Sequence, residues 1–76
     1  MNELSDLHNQ WLDGARLPNV HFLMNDYVDV IAGQHLGELG SVVSIYQFEP
    51  TPCYVVETET GKDIVVAESE IQIANS

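Results

Sequence analysis

Basic residues are nearly missing from this 76-residue chain. Arg16 and Lys62 stand against twelve acids, for a formal net charge of −10. A chain so poor in cations has little with which to neutralise phosphates, so neither a nucleic acid nor a membrane surface is an expected partner. A single cysteine, Cys53, excludes an internal disulfide. Its place between Pro52 and Tyr54, at the head of an apolar run, reads as a buried free thiol in a reducing compartment. No long apolar stretch is present, and the N-terminus carries acids where a signal peptide carries positive charge, so a cytoplasmic protein is expected. No internal repeat or low-complexity segment occurs.

Motifs for chemistry are also scarce. His8, His21 and His35 fall on a helix, an irregular segment and a loop, with no zinc-ligand spacing. The run Gly33–Gly40 lacks the lysine and following hydroxyl residue of a phosphate loop. No serine or cysteine has the setting of an activated nucleophile. The acid pairs Glu57/Glu59 and Glu68/Glu70 read as solvated faces. The expectation is a non-enzyme with no metal and no cofactor.

What remains reads as one small domain, with residues 2–13 helical and residues 20–74 forming a β structure. Its length allows only a modest core. In the helix, Leu4, Leu7 and Trp11 form an apolar stripe with Leu12 alongside, Asn2 or Ser5 serves as the cap, and Asp13-Gly14 ends it. So short a helix must dock on its own domain or on a partner. Arg16–Asn19 is a connector broken by Pro18. Val20–Met24 is a short strand or an irregular segment.

The centre of the chain is Asp26 to Tyr46. Period-two alternation predicts a strand over 27–32. Gly33, Gly37 and Gly40 then imply a tightly folded loop, because glycine reaches positive φ without steric cost. A second strand follows over 41–48. Glu-Pro-Thr-Pro at 49–52 breaks it. Strands are predicted at 53–58 and 63–67, separated by a turn at 59–62. A 3₁₀ turn at 68–70 and a last strand at 71–74 complete the chain. Five short strands with closely spaced turns predict a mainly β, closed small barrel or a sharply bent sheet, carrying an N-terminal amphipathic helix. The expected core is Val28, Val30, Val42, Ile45, Tyr54, Val56, Ile64, Val66 and Ile71, capped by Leu7 and Trp11. Whether Val55 or Val56 points inward depends on register.

The positions Asp26, Val28, Val30, Gly33, Gly37, Gly40, Val42 and Ile45 resemble the KOW motif of SH3-like small barrels, found in ribosomal proteins and transcription elongation factors. Tyr54 and Val56, then Glu68 and Ile71, are similar to the later strands of that barrel. The resemblance covers residues 25–74 and implies a five-stranded SH3-like barrel. RNA-binding members carry lysines and arginines around the glycine loop, whereas this loop reads Gln34-His35-Leu36 and Glu38-Leu39. A second resemblance, resting on spaced hydrophobic positions and acidity, is to bacterial immunity proteins that accompany polymorphic toxins. It implies a cytoplasmic inhibitor that binds a basic toxin domain. The alternatives are an adaptor barrel contacting a ribosomal or transcription protein, and a nucleic-acid mimic.

Exposed aromatics ringed by acids anchor interfaces. The candidate partner-binding residues are Tyr27, Asp29, His35, Glu38, Tyr46, Phe48, Glu49, Glu57 and Glu59. His35 projects from the glycine loop. Tyr46 and Phe48 are alternatively core residues packed under the helix or the 49–52 loop.

Overall fold

The computed structural model describes residues 3–74. Its elements are α1 (Glu3–Leu12), β1 (Tyr27–Val30), β2 (Leu39–Gln47), β3 (Cys53–Thr58), β4 (Asp63–Ala67), a 3₁₀ turn (Glu68–Glu70) and β5 (Ile71–Ile73). The strands form one antiparallel sheet in the order β4-β3-β2-β1-β5. The sheet is open in its hydrogen bonding, because β4 and β5 are its two edges and no ladder joins them among the described residues. No helix there is long and apolar enough to cross a membrane.

Alternation fixes which face is covered. Along β3, Tyr54, Val56 and Thr58 are buried while Val55 is half-buried and Glu57 exposed. Val56, not Val55, is therefore the inward residue. Along β4, Ile64 and Val66 are buried and Asp63 and Val65 exposed. All nine strand residues expected in the core are buried, together with Trp11. Leu7 is only half-buried, and Leu12 is exposed. Val20 and Phe22 also join the core, from a segment that is irregular rather than a strand.

That segment ties the helix down. The Trp11 indole Nε1–H donates to the Phe22 carbonyl (2.8 Å), and the Phe22 ring meets Tyr54 edge-on at 5.5 Å. Gly14 takes φ +86, and the bonds Gly14 N→Trp11 O and Ala15 N→Gln10 O close the helix as a Schellman motif. Ser5 lies within the helix instead of capping it, and Asn2 lies outside the described residues.

Several boundaries differ from the sequence reading. β1 stops at Val30 rather than Ala32, although the Ile31 N–H donates to the Glu70 carbonyl (2.8 Å) in the register of the β1–β5 pairing. β2 begins at Leu39 and ends at Gln47, before Phe48, and β5 ends at Ile73. Two residues of β2, Val43 and Tyr46, have no partner on β3, so the strand is bulged twice. Bulges bend a strand and tighten its twist.

The three loop glycines do two different jobs. Gly33 and Gly37 have positive φ, as a tight loop requires. Gly40 does not. It lies in β2, where a Cβ would strike the Glu57 carbonyl, so its smallness lets β2 and β3 approach.

Candidate functional site

Residues directly opposite on neighbouring strands share a face, and residues two apart on one strand do also. Tyr27 opposes Ser41, Ser41 opposes Glu57, and Glu57 opposes Asp63. One rank further, Gln72 opposes Asp29 and Asp29 opposes Leu39. The Glu59 N–H donates to the Leu39 carbonyl (3.0 Å), which extends that rank onto the end of β3. Val28, Val30, Val42 and Val56 point the other way, into the core. The register thus gathers Tyr27, Asp29, Glu57, Glu59 and Asp63 on the outer face of the sheet.

This face carries one exposed aromatic residue on β1 and acids on β1, β3 and β4. Tyr27 is 40% exposed. The Glu59 carboxylate, an acceptor that favours the protonated hydroxyl, raises its pKa above 10.0, with smaller contributions from burial and the Glu59 charge. Glu57 and Asp63 are like charges placed directly across β3 and β4. Such a pair is mildly destabilising, by about 0.2–1 kcal/mol. Lys62 sits beside them in the β3–β4 turn but forms no ion pair with them. Among the described residues the one ion-pair contact is His21 to Glu68, away from this face.

The nine predicted residues do not form one cluster. Tyr27, Asp29, Glu57 and Glu59 come together. His35 and Glu38 are half-buried on the β1–β2 loop, at the end of the sheet where Asp29 and Glu59 lie. That loop is closed by Val30 N→Glu38 O and Gly37 N→Val30 O, both 2.9 Å. Tyr46, Phe48 and Glu49 are at the opposite end. Tyr46, lifted by its bulge, is 65% exposed, so it is not a core residue. Phe48 is half-buried against the core. With Leu7, Leu17 and Pro50 it lines a groove of ≈ 270 Å³ between α1 and the 49–52 loop, where Glu49 is exposed.

Two residues of consequence are not among the nine predicted ones, and Glu68, expected on a solvated face, is instead largely covered. Asp63 could have been found by counting across the 59–62 turn, which sets it opposite Glu57. Glu68 could not, because its partners are distant in the chain. Its Oε1 accepts the Tyr54 hydroxyl (2.6 Å) and the His21 N–H (3.3 Å), and its Oε2 lies 3.1 Å from His21 Nδ1. Burial and then the bond to Glu68 push the Tyr54 pKa well above 10.0, so this hydroxyl is a hydrogen-bond donor and not a base. Cys53 is half-buried rather than buried. Burial, aided by the Glu70 charge, pushes its thiol up and keeps it protonated. No three His, Cys, Asp or Glu side chains among the described residues converge closely enough to hold a metal ion. The chemistry that the outer face offers is recognition: carboxylates and an aromatic ring on a rigid sheet.

No family model matches the chain, and no curated protein or solved structure matches it either.

Proposed function

We propose that this chain is a non-enzymatic, acidic protein-binding domain of the cytoplasm, an immunity protein that neutralises a basic toxin domain. The observation that carries the reading is the outer face itself. Asp29, Glu57, Glu59 and Asp63 share the face of Tyr27 across β1 to β4, with no cation paired to any of them among the described residues, on a chain of net charge −10. Unneutralised acids on a rigid sheet speed the encounter with a basic partner and penalise acidic ones. Tyr27 supplies an aromatic anchor with little rotamer freedom to lose. A partner cation placed between Glu57 and Asp63 would also relieve their repulsion. Inhibition would follow from occlusion, with the acids covering a basic active site or the surface beside it.

On this proposal the scaffold is an SH3-like barrel of the KOW type. The order β4-β3-β2-β1-β5, a 3₁₀ turn leading into β5, the pairing of β5 with β1 and the twofold bulging of β2 all support that reading. The same features keep the adaptor reading in play, with a ribosomal or transcription protein as the partner.

The test is co-expression with the product of the adjacent gene. A salt-sensitive complex that lifts growth arrest is the expected result. Replacing Asp29, Glu57, Glu59 and Asp63 by lysine should slow association at least about tenfold and flatten its salt dependence. Binding with an unchanged rate and salt slope would overturn the acidic-face mechanism. Stable capture of ribosomal or polymerase subunits instead would establish the adaptor.

A further inference from the structure

We propose that the free edge of β4 takes an added strand from the partner, and that this strand is an extended segment carrying a lysine or arginine two residues from an apolar side chain. The proposal rests on the reading of the partner as basic, and adds how that partner is held.

The hydrogen-bond phase of the β3–β4 hairpin identifies the free groups. Thr58 N donates to Lys62 O (2.7 Å) at one end, and Glu68 N donates to Pro52 O (2.8 Å) at the other. Hydrogen-bonded pairs alternate along an antiparallel ladder. Ile64 and Val66 therefore face β3, while Asp63, Val65 and Ala67 turn their backbone groups away from it. The Ala67 N–H is satisfied by Glu70 Oε1 (2.9 Å). No such partner is recorded among the described residues for the N–H groups of Asp63 and Val65 or for the carbonyls of Asp63, Val65 and Ala67.

Natural edge strands are blunted by lysine, proline, bulges or short length. β5, the other edge, has three residues. β4 has five, pairs with β3 in unbroken register, and contains no proline, lysine or bulge. Val65 is 45% exposed at its centre.

The side chains specify the occupant. Asp63 and Val65 lie two apart on the outer face, with Glu57 beyond Asp63 and half-buried Val55 beyond Val65. An added strand would set one side chain beside the Asp63–Glu57 pair and another, two residues along, beside Val65 and Val55. A cation suits the first position and an apolar group the second. A second copy of this chain is disfavoured, since it would bring another net charge of −10 to the same edge.

The probe is a capped peptide of about seven residues whose one face alternates lysine and valine and whose other face is threonine. Titrated into the ¹⁵N-labelled protein, it should shift the Asp63 and Val65 amides and slow exchange at Val65 by about tenfold or more. Val65→Pro removes a donor that the native ladder does not use, a placement that edge strands tolerate. It should weaken peptide binding at least about tenfold with little change in melting. The same peptide N-methylated at alternate residues keeps every charge and should fail to bind, whatever Val65→Pro does to folding.

Equal binding of the N-methylated peptide, or shifts centred on Tyr27 and Glu59, would overturn strand addition and leave the acidic-face reading standing. Equal binding of a version with glutamate in place of lysine would overturn the basic partner itself. Self-association of the chain that Val65→Pro abolishes would replace the proposed occupant by a second copy. No shift at millimolar peptide would also sink the proposal.

Discussion

Glu68 and Asp63 are acids five residues apart in the chain, and the fold treats them oppositely. Glu68 is turned inward at the end of β4, where the Tyr54 hydroxyl and the His21 backbone and ring bring donors to its carboxylate. It clasps the irregular segment and, through Phe22 and Trp11, the helix onto the sheet. Asp63 opens the same strand on the outer face, opposite another acid, with no cation paired to it among the described residues. An acid with donors is part of the scaffold. An acid facing a like charge adds nothing to the scaffold, and its value lies with a molecule that brings the missing cation.

The inner region should be the easier one to break. Trp11→Ala removes a fully buried ring and the bond to the Phe22 carbonyl, at a cost of about 3–5 kcal/mol, read by urea unfolding. For a chain this small, that is a large share of its stability. Deletion of the helix should have the same sign. Survival of full stability after either change would mean that the clasp is not part of the folding unit.

Glu68→Gln comes next. It removes the charge from the bond to Tyr54 and presents an amide nitrogen where donors already converge. The expected loss is about 1.5–3 kcal/mol. A conservative change at Asp63 or Glu57 should cost nothing measurable, and an equal loss at both places would erase the distinction between the two acids.

Tyr54 gives the clasp a pH dependence whose sign follows from its raised pKa. The native state holds the phenolic proton more tightly than the unfolded chain, whose tyrosine ionises near 10.0. This stability is fully present below that value and is lost as the pH rises from there toward the native pKa. Unfolding followed across the alkaline range should show that decline, and Tyr54→Phe should flatten it while costing less at neutral pH than Glu68→Gln.

How much of this was legible beforehand follows from the range of each interaction. The strands at 53–58 and 63–67, the 3₁₀ turn and the buried valines were all readable, because period-two alternation and turn residues act over a few positions. Gly40 was misread as a loop glycine, since its need for smallness comes from the Glu57 backbone across the ladder. Val20 and Phe22 were ambiguous because an irregular segment has no period to recognise. The outer face was half legible. Glu57 and Glu59 share a side of any strand, but their convergence with Tyr27 and Asp29 needed the β1–β2–β3 register, and two bulges lie within that ladder. Tyr46, Phe48 and Glu49 were grouped with them by composition and are separated by topology.

The smallest predicted effect is the most telling one for the outer face. Asp63→Lys places a cation directly opposite Glu57 and turns a repulsive cross-strand pair into an attractive one. The pair is solvent-exposed, so the gain belongs at the low end of about 0.2–1 kcal/mol and should shrink in high salt. A variant that folds slightly better yet associates more slowly with its partner would show that the native sequence keeps an unfavourable pair for the sake of binding. Loss of stability in Asp63→Lys would mean instead that Asp63 serves the fold, and the contrast with Glu68 would collapse. Added stability with undiminished association would leave the like-charge pair real but outside the interface, and would move the binding surface toward Asp29 and Tyr27.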